Sequence, residues 1–380
     1  MAQRTTPVEL RDLNWIRGAL QTAVALEHST MPLYCAAMYS LEVQNYPSYN
    51  IIRSVLMEEM VHMAIAANMV AALGGSPDIK GLAPAYATRG LPGGVAPDLP
   101  VILARLSPQS LENFMRLEAP EFMLNSRQRA SVYPTIGAFY DAIREAIDAN
   151  KDAVRRAVRA GGPANQVGGN LGYLTFEADE TVDPVEQFHA ALDVITEQGE
   201  GQGTGSVEAG EEFQREGSHY ARFAELRYGR RYLAPPQAAI SRENEPDFFL
   251  GETIAWPVVI NTLAVPSDGY AALLERDPSA PQVRKELEAF DDAYTQMMVA
   301  LDTSWNGPVE TWWPSLGAAV TQMDQMRVRS CFNIMRLQVP QEAVSALEAL
   351  YPREFKALER YTDLNKPVFY GPRFVNAAGH

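Results

Sequence analysis

The sequence predicts an all-α protein: a four-helix bundle with one long crossover, extended by further helices towards the C-terminus. Three observations lead there. Apolar residues recur at helical spacing in four long segments. About a hundred residues separate the second segment from the third, while the links inside each pair are short. Stretches with the two-residue alternation of a strand are scarce.

The first segment, Leu13 to about Tyr46, places Ile16, Leu20, Ala23, Glu27 and Met31 on one row, so a glutamate takes a core-facing slot. Pro32 lacks a backbone donor and clashes with the preceding turn, which predicts a kink. The second segment, Tyr49 to Leu73, aligns Ile52, Val55, Glu59, His62 and Ala66 and stops at Gly74-Gly75 before Pro77. Glycine and proline predict loop from Ile79 to Pro100. Ser107-Pro108 starts a short helix through Leu117, and Pro134-Thr135 opens a longer one on Ile136, Phe139, Ile143 and Ile147. The third core helix begins at Asp183-Pro184, with Val185, Phe188, Leu192 and Ile195 as its apolar stripe. After the turn GEGQGTGS, a fourth runs from about Val207 to Tyr228 and carries Phe213, Glu216, His219, Phe223 and Leu226. Residues 231–246 read as a linker, and helical spacing returns over Arg284–Trp305, Ser315–Leu337 and Gln341–Tyr361. The expected organisation is a bundle over residues 1–230, with an insertion at about 79–182, and a helical region over 247–380 packed on it.

Composition narrows the function. The formal charge is −15 and the pI about 4.9, a field opposed to nucleic acid or an anionic bilayer. The two cysteines, Cys35 and Cys331, are far apart, and the N-terminus has no apolar leader, so reduced thiols and a cytoplasmic location are expected. No phosphate loop, C-x-x-C pair or nucleophile elbow is present.

The five histidines are informative. Glu-x-x-His occurs three times, at Glu59–His62, Glu186–His189 and Glu216–His219. With 30 glutamates and 5 histidines in 380 residues, chance predicts about 0.4 such matches. Residues three apart on a helix project to one side, so each pair could grip one ion or part of a bridged pair. Glu186–His189 reads as a surface pair at a helix start, where an acid is favoured anyway. The other two interrupt apolar rows, where carboxylates without a cation would be costly. In carboxylate-bridged dimetal bundles, two helices each give a glutamate and two each give Glu-x-x-His, all pointing inward. Here the order is Glu27, then Glu59 with His62, then a glutamate on the third helix, then Glu216 with His219. For the third helix, periodicity prefers Glu200, while matching heights across the turn favours Glu197. His28 is expected to face away from the site. Tyr34 and Cys35 read as core, and Glu58 as an outer or surface acid.

The segments LEHSTMPLYCAAMYS (26–40), EEMVHMAIAANMVAALGG (58–75), PTIGAFYDAI (134–143), ITEQGEG (195–201), EGSHYARFAEL (216–226) and GPRF (371–374) resemble the ferritin-like family that includes the iminophenyl-pyruvate dimer synthase domains of violacein-type pathways. The resemblance implies a ferritin-like bundle, a diiron or related centre, and in some relatives oxidative coupling of amino-acid-derived imines. Its acid and histidine motif falls on Glu27, Glu59, His62, Glu197 or Glu200, Glu216 and His219.

The expected function is therefore that of an oxidoreductase holding two iron ions, with manganese or a mixed pair as alternatives, and using O2 as co-substrate on a small organic molecule. An imine dimer synthase and a non-catalytic metal-binding protein are the rival expectations. The expected partner is a small-molecule substrate, with no nucleic acid and no membrane, and a homo-oligomer is left open.

Overall fold

A computed structural model describes residues 6–42, 47–162, 164–168, 174–177, 182–201, 217–233 and 249–379. The helices α1 (Leu13–Tyr39) and α2 (Pro47–Ala72) pack side by side and form the middle of the molecule. Asp12 caps α1 by accepting from the Trp15 N–H. Every residue of α1 from Leu26 onward is buried, as is α2 from His62 onward. A helix buried on all sides needs neighbours on more than one face. By length and composition α2 could cross a membrane, but most of it is covered by its neighbours.

The crossover carries a two-stranded antiparallel hairpin, β1 (Thr88–Leu91) and β2 (Val95–Val101), where glycine and proline content had predicted loop. Gly93 and Gly94 take the positive φ of the tight turn, and prolines are tolerated in β2 because a two-strand sheet has only edges. After the hairpin come α3 (Pro108–Leu117), a single turn α4 (Ser126–Arg129), α5 (Ile136–Ala149) and α6 (Lys151–Ala160). Ser107 caps α3 and Thr135 caps α5, each accepting from the N–H three residues on. Next, α7 (Pro184–Gly199) starts at the Asp183 cap, and α8 (His219–Tyr228) ends at Gly229 in the left-handed region. On one side of the α1–α2 pair lie α3, α5, α7 and α8, with α3 packed closely along α8.

The expected fourth helix changes here. Ser218 has an extended ψ of 169° and caps α8 through the Ala221 N–H, so no helix runs on unbroken from about Val207 to Tyr228. A serine after glycine competes for the backbone and starts a new helix. The turn after Gly201, the beginning of that predicted helix and most of the linker lie outside the described residues.

On the other side of the pair lie α10 (Ala280–Asn306) and α11 (Trp312–Phe332), preceded by the short α9 (Ala271–Leu274). The expected last helix, Gln341–Tyr361, is three pieces: α12 (Gln341–Ser345), α13 (Leu347–Leu350) and α14 (Phe355–Tyr361). Pro352 cannot continue a helix, and the chain turns at Tyr351–Glu354. In contrast, α1 runs through Pro32 without interruption, and the Ser29 and Thr30 hydroxyls bond back to the carbonyls of Leu26 and Glu27. One continuous cluster of buried apolar side chains links both sides of the α1–α2 pair.

Candidate metal centre

The face of α1 and α2 turned towards α3, α5, α7 and α8 carries the acids and histidines. Glu27 lies midway along α1, and Glu59 and His62 are one turn apart on α2. His219 is the first residue of α8, placed by its Ser218 cap. Glu118 ends α3, its N–H still bonded to the Phe114 carbonyl. All five are buried, none more than 2% exposed.

Their inner atoms converge. His219 Nδ1 is 2.8 Å from Glu59 Oε1 and 3.6 Å from Glu118 Oε2, and His62 Nδ1 is 4.0 Å from Glu27 Oε2. The two imidazoles stack with centroids 5.4 Å apart. Glu59, His62 and His219 can each offer an atom to one ion. Glu27, Glu59, His62, Glu118 and Glu200 line a small cavity of about 10 Å3.

The outer hydrogen bonds show which ring nitrogens face in. His62 Nε2 meets Gln198 Oε1 at 2.8 Å, and His219 Nε2 meets Glu58 Oε2 at 3.0 Å. Both acceptors are oxygens, so each Nε2 carries a proton and each Nδ1 faces the carboxylates, where a cation would replace the second proton of a charged His219. Glu58 is fixed in turn by Arg222, whose two terminal nitrogens donate to its two oxygens at 2.8 and 2.9 Å. The carboxylates are braced too. Tyr140 donates to Glu27, Tyr34 to Glu118, and the Thr30 hydroxyl to Glu59 at 3.0 Å. A carboxylate–histidine arrangement of this kind orients the ligands of metal sites.

The protonation pattern agrees. Burial, and then the Glu59 charge, push the Glu27 carboxyl well above its usual range, and the same two causes raise Glu118. Burial also works against ionised Glu59, but the close approach and charge of His219 outweigh it and hold Glu59 low. Burial opposes a charged His219, yet the close carboxylates of Glu118, Glu58 and Glu59 hold that imidazole well above the ordinary range. Burial lowers His62. Protons thus balance the charge of three crowded carboxylates, a task for which a multivalent cation is chemically suited. His219 Nδ1, buried and close to two acids, has no partner in hydrogen-bonding geometry. The donor set, three carboxylates and two inward imidazole nitrogens, fits iron or manganese.

Of the residues expected from the sequence, Glu27, Glu59, His62 and His219 come together. Glu200 also borders the small cavity, but one of its oxygens takes the Gly137 N–H at 2.7 Å at the start of α5. Burial pushes its carboxyl up to about 8. Glu197 does not border the cavity. Glu216 lies outside the described residues, and the non-helical Gly217-Ser218 step removes the premise that it shares a helix face with His219. His189 pairs with Asp148 at 3.4 Å away from the cluster, as a surface pair would. The sequence reading missed Glu118 and the bracing tyrosines. Glu118 had a usable signal, because it follows Leu111, Phe114 and Met115 on the same row of α3 and so breaks an apolar stripe as Glu27 and Glu59 do.

A family profile described as Ferritin-like matches residues 20–228, and the chain belongs to that family. A crystal structure of a ferritin-like protein from Caulobacter vibrioides aligns with a TM-score of 0.54 and 21% identity, over 87% of this chain and 97% of that one. That likeness concerns the fold. No curated protein matches the chain.

Arg222→Ala tests the bracing. Loss of an outer partner typically costs a metal site roughly 10- to 100-fold in affinity. Arg222 acts on His219 through Glu58, so competition titration of Fe(II) against a chelator is expected to show a weakening within that range, with the helical circular dichroism retained.

Proposed function

We propose that this chain is a dimetal oxidoreductase, with iron as the native metal, that uses O2 to oxidise a small organic molecule. The observation that carries the reading is the pair of imidazoles whose Nε2 atoms are tied outward and whose Nδ1 atoms face three buried carboxylates. Glu27, Glu59, His62, Glu118 and His219 would hold the metal, with Glu200 at the border. When bound, iron supplies the electrons that reduce O2 while the organic substrate is oxidised.

The chain's own groups set the conditions. Burial excludes water, and Tyr34 and Tyr140 each keep a phenolic proton on a carboxylate, since burial raises both phenols well above their usual range. Gln198 and Glu58 hold the imidazole orientations without being bordered by the cavity themselves. Membership of the Ferritin-like family supports metal chemistry on this fold.

Anaerobic addition of Fe(II) followed by O2 tests the reading. The expected result is about two iron ions per chain, a change in visible absorption and consumption of O2. Iron that binds but does not react with O2 would favour the non-catalytic rival. A narrower form of the proposal is oxidative coupling of amino-acid-derived imines, for which a product of doubled mass is the signature.

A further inference from the structure

The second face of the α1–α2 pair holds a much larger cavity, of about 680 Å3, between these helices and α10 and α11. It shares no residue with the wall of the acid–histidine cavity, and its volume suits a small-molecule ligand. Its length, its side-chain types and the placement of its charges narrow what fits. On α2 the wall runs from Arg53 to Ala64, about 16 Å at a helical rise of about 1.5 Å per residue. Trp305, whose indole donates to Asn68 one turn beyond Ala64, stands at that end. Eight of the chain's fourteen methionines line this one cavity, among them Met31, Met60, Met63 and Met297. Thioether side chains are unbranched and re-pack, so such a wall moulds itself to a flexible chain and gives a rigid ring no fixed outline.

Charge is confined to the other end. Among the described residues of the wall, Arg53, Asp324 and Arg327 are the only charged side chains; two arginines and one aspartate give +1, in a chain whose formal charge is −15. Asp324 accepts from Arg327 Nη2 at 2.7 Å. Arg53 is exposed and has no ion pair or hydrogen bond among the described residues. Tyr49, half-buried in the same wall, stands close to both guanidinium groups: burial raises its phenol, and the charges of Arg327 and Arg53 oppose the rise. The cavity is thus a slot with an adaptable apolar length and one uncompensated cation at its rim.

We propose that this cavity binds one single-chain carboxylate of fatty-acid type, with the acyl chain lying along the methionines towards Trp305 and the carboxylate at the rim against Arg53. The site goes beyond the metal reading and does not depend on it. The carboxylate keeps its contact with water at the exposed Arg53, so no charge is buried, while the chain takes the exposed apolar edge at Met57 and Trp313 out of solvent.

Calorimetric titration of iron-loaded and chelator-treated protein tests it. The probes are octanoate, decanoate and dodecanoate below micelle formation, with decanol and decyltrimethylammonium as equal chains of no charge and of opposite charge. Wild type is expected to bind one acid per chain, with or without iron, and to gain roughly tenfold in affinity for each two methylenes. Decanoate is expected to bind about fivefold more tightly than decanol, the worth of an exposed ion pair. Arg53→Glu, a surface change that breaks no described contact, is expected to reverse the order of decanoate and decyltrimethylammonium and to leave decanol unchanged. Leu316→Glu places a charge on a half-buried wall position of α11 and is expected to weaken decanoate and decanol by about tenfold or more. Vesicles of phosphatidylglycerol, which offer two chains under one anionic headgroup, are expected not to bind. Absence of saturable binding, affinity that does not rise with chain length, an unchanged order of the charged probes in Arg53→Glu, or a preference for the vesicles would each overturn the proposal.

Discussion

Replacing Glu118 with alanine is expected to lower iron affinity by more than the roughly 10- to 100-fold that loss of an outer hydrogen-bonding partner costs. The carboxylate is buried beside His219 Nδ1 at 3.6 Å, and it is the only acid that the crossover brings to the cluster among the described residues. Alanine also strips the Tyr34 hydroxyl of its acceptor, a penalty of about 1–3 kcal/mol that could be mistaken for a metal effect. Glu118→Gln separates the two, because the amide oxygen can still accept from Tyr34 while the negative charge is gone. Both variants are expected to lose iron in a chelator competition, whereas Glu197→Ala, away from the cavity wall, keeps the wild-type affinity. Full retention of iron by Glu118→Gln would remove Glu118 from the ligand set.

The second large effect concerns Asn68, fully buried on α2 and facing the crossover and α10. Its amide nitrogen donates to the carbonyls of Val167 and Leu174, and its oxygen accepts from the Val167 N–H and from Trp305 Nε1. All four capacities of one side chain are thereby used, and they fasten a loop and a helix to the element that carries Glu59 and His62. Asn68→Ala orphans the Val167 and Trp305 donors, each worth about 1–3 kcal/mol when buried and unpaired. The expected loss of unfolding free energy is about 3–5 kcal/mol, near the upper end for a single substitution. Urea denaturation of the metal-free protein measures it without the contribution of bound metal. Trp305→Phe, which removes one bond of the four, is expected to lose less. A change below about 1 kcal/mol in Asn68→Ala would show that water replaces the missing contacts.

These two residues also mark what the sequence left hidden. Glu27, Glu59 and His62 were legible because each occupies a position that helical periodicity reserves for an apolar side chain. Glu118 obeys the same rule, but its helix is short and lies in the crossover, outside the four segments that the bundle template draws attention to. Glu216 was drawn in by a spacing that only a continuous helix could make meaningful, and Ser218 ends that continuity. Asn68 gives no periodic signal, since its partners are backbone groups about a hundred residues away and the Trp305 indole, farther still along the chain. The caps at Ser107, Thr135 and Asp183 were readable because they are local chemistry. The hairpin in the crossover was not, because its prolines are allowed only by the absence of a third strand.

The account stands on the acid–histidine cluster holding metal, and elemental analysis of protein purified from iron-supplied cells tests this most directly. Wild type is expected to carry close to two ions per chain, and a His62→Ala, His219→Ala double variant of undiminished helicity close to none. Wild-type protein free of metal after iron-replete growth and anaerobic reconstitution, or a double variant that retains the full complement, would contradict it.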